Sequence, residues 1–250
     1  MVDTLPSPRD WISPAHSTNS PIFSPTRAVV QDDDMEDICN SMEKLLRKGE
    51  RFQAPASLKY LSMKERWYWS KSEKHIRFLD ASCLLFSGQG QFLEVIDYAN
   101  RESTTTVGYK GAVRHSGDIL FRGDYMGEHT IDVDLTCLAP CVREMYITIS
   151  AFNEPPSFLS DIMQPTMTVV DRETQAALCS YEMEDQPEAV RAEYTSVTMC
   201  RVFRSAQNEN VWEVEALGHM GHGSAGHYRA ILHYIQEVLP MTRSLAGWGF

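Results

Sequence analysis

Short runs of β-prone residues, separated by turn residues, dominate the chain from Leu58 onward. Gly, Asn and Ser punctuate these runs, as in Ser87-Gly88-Gln89-Gly90 and Asn208-Glu209-Asn210. Short strands at regular spacing, each bounded by turn signals, are typical of an antiparallel β-sandwich. The pattern predicts strands at residues 82–86, 92–98, 130–135, 146–152, 167–171, 178–183, 196–204 and 211–217.

One late segment has helical periodicity instead. Within residues 225–239, the apolar positions that share a helical face are Tyr228, Ile231, Leu232, Ile235 and Leu239. We therefore predict a C-terminal helix whose apolar stripe packs against a sheet edge. Such packing would protect that edge from pairing with other chains.

Aromatic residues mark the predicted core. The group Trp67-Tyr68-Trp69 indicates a strand whose side chains alternate between inward and outward positions, although it could also form a binding surface. Phe152, Val169 and Trp212 lie within apolar strand runs, so they are predicted to be buried.

The N-terminal segment has a different composition, and we place a boundary near residue 57. Ser-Pro pairs beginning at Ser7, Ser13, Ser20 and Ser24 favour extended conformations and cannot build a core. Residues 1–57 are therefore predicted to be an arm, and residues 58–250 to be the sandwich domain.

Within the arm, residues 35–51 are predicted to form a short amphipathic helix. Asp32-Asp33-Asp34 offers capping oxygens before it. The apolar residues at helical spacing are Met35, Ile38, Met42, Leu45 and Leu46. This helix either folds back on its own domain or binds in a groove of a partner protein.

Composition and charge exclude several classes of protein. The chain has 250 residues, 43% of them hydrophobic, which is enough for one substantial core and a tail. No run of about 18 apolar residues marks a membrane span, and no basic region followed by an apolar core marks a secretory signal. The formal net charge of −11 argues against a nucleic-acid partner, because that affinity depends on clustered Lys and Arg.

The six cysteines, at positions 39, 83, 137, 141, 179 and 200, are scattered along the chain. Most lie in apolar strand-like runs, where a free thiol behaves as a small hydrophobe. Cys137 and Cys141 lack the second ligand pair that a structural zinc site needs. Scattered thiols favour a reducing compartment, so a cytoplasmic location is expected.

Acidic residues and glycines are interspersed between His115 and Leu135, and this segment is the strongest candidate for chemistry. Carboxylates supply anionic oxygen while glycine lets the backbone fold around an ion, and hard cations such as Ca²⁺ and Mg²⁺ are held in this way. The alternative is a solvated hairpin loop between two strands of the sandwich.

Five short motifs follow one another between residues 78 and 135. They are Phe78-Leu79-Asp80-Ala81-Ser82, Cys83-Leu84-Leu85-Phe86, Asp97-Tyr98-Ala99-Asn100, Gly111-Ala112-Val113-Arg114-His115-Ser116-Gly117-Asp118 and Ile131-Asp132-Val133-Asp134-Leu135. In order and spacing they resemble the TerD domain of the tellurium-resistance family, and the resemblance covers roughly residues 58–240. It implies a β-sandwich that binds calcium in bacterial members, is tied to stress and tellurite tolerance, and has no established enzymatic activity.

The chain departs from the family pattern at its acidic positions. Phe78 stands where the family has its first acid, and Ile119-Leu120-Phe121-Arg122 replaces part of the acidic run. A two-ion cluster is therefore not expected. The resemblance instead implies one weaker calcium site, with main-chain carbonyls or Asn100 completing a set of ligands formed by Asp80, Asp118, Asp124 and Glu128. Pairing of Arg122 with one of these carboxylates is an alternative that would remove the need for a metal.

A second group, His219, His222 and His227, lies among glycines near the C-terminus. This spacing could bring two imidazoles onto one transition-metal ion, or the histidines could be exposed on Gly-rich turns. The sequence contains no nucleophile elbow, phosphate loop or dinucleotide fingerprint, so an enzyme is not expected.

Two functions are compatible with these features. The first is a non-catalytic, calcium-binding module of stress physiology, as the family resemblance implies. The second is a structural subunit of a larger assembly, such as a cytoskeletal one, in which the sandwich is a rigid body and the N-terminal arm contacts neighbouring proteins. Other proteins are the expected partners of the arm.

Overall fold

The computed structural model describes residues 43–70, 78–151, 159, 162–183 and 187–240, which form a sandwich of two β-sheets. Its strands are β1 (Lys44–Leu46), β2 (Arg51–Gln53), β3 (Tyr60–Tyr68), β4 (Leu79–Ser87), β5 (Phe92–Ile96), β6 (Val113–His115), β7 (Ile119–Phe121), β8 (Met126–Asp134), β9 (Val142–Ala151), β10 (Met163–Asp171), β11 (Ala177–Glu182), β12 (Ser196–Arg204) and β13 (Trp212–Gly221). The described helices are α1 (Glu188–Arg191) and α2 (Arg229–His233), with a 3₁₀ turn at Thr105–Val107 and a π-helical turn at Tyr234–Val238. The predicted β-sandwich is confirmed.

The two sheets meet along one edge of the sandwich. The first sheet has the order β1-β11-β10-β3-β8-β6, with β7 also paired to β8, and the second has the order β2-β13-β12-β9-β4-β5. Strand pairs are antiparallel except for β1 and β11. Across the sandwich, β4 contacts β8 and β5 contacts β6. These contacts bring the segments that carry Asp80 and Asp118 to the same side of the molecule.

The outer face of the second sheet is covered by the C-terminal helix. On β4, Leu85 faces the main core, while Leu84 and Phe86 point outward and are nevertheless buried. Ile231 and Ile235 of the helix pack on this outward pair. The C-terminal helix therefore packs on the face of the second sheet, where it covers apolar residues of the inner strands. The prediction that it packs against a sheet edge is wrong.

The C-terminal helix begins later than the predicted start at residue 225. Residues 229–240 are helical, because the π-helical turn continues α2, whereas Ser224 and His227 form an isolated bridge before it. The apolar face is where the periodicity placed it. Its buried members are Ile231, Ile235 and Leu239.

The described part of the predicted N-terminal helix consists of two short strands. A turn in which Gly49 has a φ of 84° joins β1 to β2. β1 pairs with β11 in the first sheet, and β2 pairs with β13 in the second. Leu46 is 2% exposed and Leu45 is 66% exposed, as strand alternation requires. The helix prediction is therefore wrong for residues 43–51, and the sandwich includes strands that precede residue 57.

The predicted strands all have counterparts, and β12 has the predicted bounds. The pattern does not predict β6 and β7, which are short, and it indicates only the end of β3 at Trp67 and Tyr68, because the middle of that strand carries charged residues such as Lys64 and Arg66. Trp67 and Trp69 are buried while Tyr68 is only partly buried, which confirms the predicted alternation. Of the other predicted core residues, Val169 and Trp212 are buried. Phe152 lies outside the described residues, and so do the Ser-Pro pairs and residues 35–42.

Two further expectations from the sequence concern membrane-spanning helices and the state of the cysteines. None of the helices in these parts of the chain is long and apolar enough to cross a membrane. The described cysteines are free thiols at Cys83, Cys137, Cys141, Cys179 and Cys200.

Candidate functional site

Carboxylates and imidazoles from both sheets meet where the sheet edges approach each other. Asp80 lies on β4, and Asp97 directly follows β5 in the same sheet. Asp118 lies between β6 and β7 of the first sheet, whose strands also carry His115 and His129. We call Asp80, Asp97 and Asp118 the acidic cluster, because the charges of the latter two both act on the pKa of Asp80.

Asp80 is a buried carboxylate. It is 9% exposed, and its side chain has no hydrogen bond or ion pair with any other described residue. Burial, with smaller contributions from the charges of Asp118 and Asp97, raises its pKa to about 6, although His129 opposes the rise. A positive charge placed beside Asp80 would therefore stabilise its ionised form.

His129 connects Asp118 to the second sheet. Its Nδ1 accepts a hydrogen bond of 3.0 Å from the backbone N–H of Ala81, so the proton of the neutral ring lies on Nε2. Nε2 is 2.9 Å from Oδ1 of Asp118, to which it donates. This hydrogen bond lowers the pKa of Asp118 below its usual value. Asp118 is therefore ionised at neutral pH and is held in one orientation.

Asp97 connects the acidic cluster to the C-terminal segment. Its Oδ1 accepts hydrogen bonds from the backbone N–H groups of Ala99 and Asn100, at 2.9 and 2.8 Å. Its Oδ2 accepts a hydrogen bond of 2.7 Å from the hydroxyl of Tyr228. The same hydroxyl lies 2.9 Å from Oγ of Ser82. Burial, with a contribution from Asp97, raises the pKa of Tyr228, which therefore remains a donor.

His115 lies beside the same network as a neutral ring. Its Nδ1 accepts a hydrogen bond of 2.9 Å from the backbone N–H of Gly117, and its ring centroid is 5.1 Å from that of His129. Burial, with contributions from His129 and Arg101, lowers its pKa to about 4. Its Nε2 is buried and has no hydrogen-bond partner among the described residues.

The structure brings together only two of the five predicted ligands. Asp80 and Asp118 belong to the acidic cluster, whereas Glu128 lies on the outer face of β8, with Oε2 2.5 Å from Nε of Arg66. Asp124 is exposed in the turn between β7 and β8. Asn100 has an exposed side chain and contributes its backbone N–H to Asp97. The described contacts therefore place Asp80 and Asp118 in one cluster, and the calcium site itself stays a prediction.

The arginine beside the acidic cluster is Arg101, and none of the ion pairs found among the described residues involves Arg122. Gly117 has a φ of 80°, and a Cβ at this position would lie 2.9 Å from Nη1 of Arg101. The absence of a side chain on Gly117 thus lets the guanidinium approach the turn. The charge of Arg101 contributes to the lowered pKa of Asp118.

The carboxylates of the acidic cluster are too few for an enclosed metal cage. The described residues contain no group of three or more His, Cys, Asp or Glu side chains that could hold one metal ion. Ca²⁺ takes about six to eight oxygen ligands, and a site with one or two carboxylates leaves most of them to water and main-chain oxygens. Asp80 and Asp118 are the two carboxylates that could act in this way.

Sequence reasoning did not identify several residues of this network as functional. Asp97 and His115 lie within the motifs that resemble the family, but His129 and Tyr228 do not. A signal for His129 was available, because it alternates with Ile131 and therefore faces inward on β8. The hydroxyl contact of Tyr228 depends on tertiary packing and has no local signal.

The second predicted group is divided by the fold. His219 stacks on Tyr234, with ring centroids 3.5 Å apart, and His222 lies near Tyr194. His227 is exposed in the turn that begins at Ser224. Within the described parts of the chain, these histidines form no metal-binding group with one another or with nearby carboxylates.

Comparisons with known proteins agree with the fold and the motifs. The TerD domain family model matches residues 42–232. The tellurium resistance protein TerZ of Serratia marcescens is 30% identical over 145 residues, which cover 58% of this chain and 67% of TerZ. A crystal structure of a homologue of the telluride resistance protein TerD from Streptomyces coelicolor A3(2) is similar in fold, with a TM-score of 0.51 and 15% identity, over 73% of this chain and 98% of that one. This chain therefore belongs to the TerD domain family.

Proposed function

We propose that this protein is a non-catalytic binding module whose acidic cluster holds one divalent cation, with Ca²⁺ as the expected ion. The observation that carries the proposal is Asp80, a buried carboxylate that has no partner among the described residues and whose pKa is raised to about 6. A buried carboxylate near two other acids is costly unless a positive charge compensates it. A bound cation would supply that charge.

Asp80 and Asp118 would be the direct ligands of the cation. The hydrogen bond from His129 fixes one oxygen of Asp118, which leaves the other carboxylate oxygen free to bind. Asp97 would add negative charge nearby while it remains hydrogen-bonded to Tyr228. The bound ion would therefore act on the same network that anchors the start of the C-terminal helix.

The buried thiols support a non-catalytic role. Burial raises the pKa values of Cys83, Cys179 and Cys200, so these cysteines are protonated at neutral pH and are poor nucleophiles. Free thiols are also consistent with the proposed cytoplasmic location. A role in stress tolerance is proposed from the relative that is named a tellurium resistance protein.

A second candidate function, a structural subunit that binds other proteins, is favoured by the outer face of the first sheet. Met163, Tyr68, Met126 and Phe121 are successive cross-strand partners on β10, β3, β8 and β7. Met163 and Phe121 are each 40% exposed. A row of apolar side chains across four strands is a feature of protein contact surfaces.

The cation proposal is tested by comparing thermal unfolding in Ca²⁺ with unfolding in chelator. A ligand at a hundredfold excess over its Kd stabilises the folded state by about 2.7 kcal/mol. We expect Ca²⁺ to raise the Tm of the wild type and to have no effect on Asp80→Asn or Asp118→Asn. Asp124→Asn is the matched control, since Asp124 lies in the same acidic segment but away from the cluster, and it should respond like the wild type.

Either of two results would refute the cation site. The first is a wild-type Tm that is the same in Ca²⁺ and in chelator. The second is a Ca²⁺ response that Asp124→Asn abolishes and Asp80→Asn leaves intact, which would move the site to the exposed hairpin turn.

A further inference from the structure

A cavity of about 340 Å³ lies between the C-terminal helix and the outer face of the second sheet. Strands β12 and β13 form its floor, and residues of α2 and of the π-helical turn form its roof. Ligand sites in proteins have volumes of about 300–1,000 Å³ and combine apolar or aromatic walls with a few polar groups. The acidic cluster contributes none of the residues that line this cavity.

Aromatic and imidazole rings form two walls of the cavity. His219 and Tyr234 are stacked, with ring centroids 3.5 Å apart and an interplanar angle of 2°. Tyr194 and His222 form a second pair, with centroids 5.6 Å apart and an angle of 35°. Tyr234 begins the π-helical turn, a rare form of helix that is frequent at functional sites. Flat π-faces of this kind bind flat rings through stacking.

The floor of the cavity carries two hydroxyls that lack partners. Ser196 and Thr198 are each 3% exposed, and neither side chain forms a hydrogen bond with another described residue. A β-bulge directly after Thr198 interrupts the pairing of β12 with both neighbours. Bulges of this kind redirect side chains and are common next to binding sites. The two hydroxyls are therefore placed to donate to, or accept from, the edge of a ligand.

The charge of the cavity favours a neutral ligand. Burial, together with the charge of Lys48, lowers the pKa of His219, so this imidazole is uncharged at neutral pH. Lys48 lines an adjoining cavity, and its Nζ is 3.2 Å from the carbonyl oxygen of Gly218. A compact anion would thus find no free cationic group on the floor formed by Ser196 and Thr198.

We propose that this cavity binds a flat, uncharged heteroaromatic ring, such as a purine base. The ring would contact the aromatic walls, and its polar edge would bond to the hydroxyls of Ser196 and Thr198. The site goes beyond the proposed cation module and depends on different residues.

The proposal is tested by titrating the full-length protein with adenine, following binding by protein NMR chemical shifts and by calorimetry. Thr198→Val removes one hydroxyl at nearly constant shape and should weaken adenine binding about tenfold. Thr198→Ser restores the hydroxyl and should restore binding. The matched control is Thr148→Val, because Thr148 is the cross-strand neighbour of Thr198 and equally buried but does not line the cavity.

Other arms of the experiment distinguish this site from the acidic cluster and from anion binding. The Asp80→Asn variant should bind adenine like the wild type. Adenine binding is therefore expected even if the proposed cation site does not exist. Saturable binding of inorganic phosphate without adenine binding would overturn the proposal in favour of an anion site. Absence of adenine binding, or an equal loss in Thr148→Val and Thr198→Val, would also overturn it.

Discussion

Asp80 and Asp118 belong to one cluster, yet their surroundings shift their pKa values in opposite directions. Burial raises the pKa of Asp80 from 3.8 to about 6, so the folded state holds this proton more tightly than the unfolded state. The free energy of unfolding therefore falls as pH rises from about 4 to about 6, and this decrease is complete at neutral pH. For Asp118 the hydrogen bond from His129 lowers the pKa, and stability is lost as pH falls through the folded value.

The first prediction concerns this pair of carboxylates in the presence of chelator. Asp80→Asn should stabilise the protein at pH 7.5 by about 1–2 kcal/mol, which is less than the full pKa shift implies because water reaches the site. The gain should vanish near pH 4. Asp118→Asn should instead destabilise the protein at pH 7.5. Urea denaturation at both pH values measures these differences, and a loss of stability in Asp80→Asn at pH 7.5 would show that Asp80 has a partner.

Glu65 has a second unusual carboxyl group, which lies in the main core. It is 1% exposed, and neither oxygen has a hydrogen-bond partner among the described residues. Its cross-strand neighbours are Met167 and His129, and burial raises its pKa well above the usual value. The protonated carboxyl therefore occupies an apolar position in the core.

The second prediction is that Glu65→Met stabilises the protein. Removing a buried polar group without partners should contribute about 1–3 kcal/mol at neutral pH. The gain should increase with pH above about 4.5, because only the wild type must retain a proton there. Denaturation curves between pH 5 and pH 9 measure this slope. Glu213→Met, at a partly exposed position on β13, is the control and should show neither the gain nor the slope.

At the scale of the elements, the hairpin of β7 and β8 depends on one glycine. A Cβ at Gly127 would overlap the ring of Trp67, its cross-strand partner. That ring is fully buried and packs edge-on against His129, with centroids 4.9 Å apart. The missing side chain of Gly127 therefore makes room for the group that positions the imidazole contacting Asp118.

The third prediction is that Gly127→Ala destabilises the fold by about 1–3 kcal/mol through overpacking. It should also change the NMR shifts of His129, since the indole must move toward the imidazole. Gly123→Ala, in the turn of the same hairpin, is the control because a Cβ there meets no atom within 4 Å. Equal stability of both variants would mean that the backbone of β8 can move away from Trp67 at little cost.

A ladder of charges crosses the outer face of the second sheet. Arg201 on β12 lies between Glu144 on β9 and Glu215 on β13, at 2.6 and 3.5 Å. Arg51 on β2 completes the ladder at 3.3 Å from Glu215. The side chain of Arg201 is only 13% exposed, so its charge compensates two carboxylates that have little access to water.

The fourth prediction is that Arg201→Met costs about 2–3 kcal/mol, because it leaves both glutamates without their central cation. Arg143→Met is the control. Arg143 pairs with Glu209, whose side chain is 76% exposed, so its loss should cost less than about 1 kcal/mol. Chemical denaturation at low salt measures both changes. A similar cost for the two variants would indicate that the ladder is screened by solvent.

Element-scale patterns explain which features the sequence could reveal. The long apolar strands were predictable because alternation with buried partners is a strong signal. β1 and β2 were not, since strands of three residues carry little periodicity and Leu45 and Leu46 also satisfy helical spacing. On β8 the sequence suggested Glu128 as a ligand, but the pleat of the strand points Glu128 outward. The next residue, His129, points inward instead.

At the scale of the whole molecule, an N-terminal strand and the C-terminal helix both pack on the second sheet. β2 covers one edge, and the C-terminal helix covers the outer face. Tyr228, at the start of that helix, contacts Asp97 and Ser82 at the opposite side of the sheet. Tyr228 thus links the acidic cluster to the start of the C-terminal helix, whereas the cavity beneath that helix shares no lining residue with the cluster.

The last prediction separates the arm from the fold by two deletions. Removal of residues 1–42 leaves every described strand in place and should change the Tm by less than about 2 °C. Removal of residues 1–53 also eliminates β1 and β2, together with the buried side chain of Leu46. Burying one leucine is worth about 1.5–3 kcal/mol, and each kcal/mol corresponds to roughly 2–4 °C at this size, so the longer deletion should lower the Tm by at least about 3 °C.

The shorter deletion also tests whether the arm recognises other proteins, as the Ser-Pro pairs suggest. Affinity capture with the full chain and with the chain lacking residues 1–42 should recover different partners, because only the former retains the Ser-Pro pairs. Phosphorylation of the Ser-Pro sites would add about −1.5 to −2 charges each and should release partners with acidic surfaces. Identical partner sets would assign recognition to the sandwich itself, and the apolar row that includes Tyr68 and Phe121 would then be the surface to mutate.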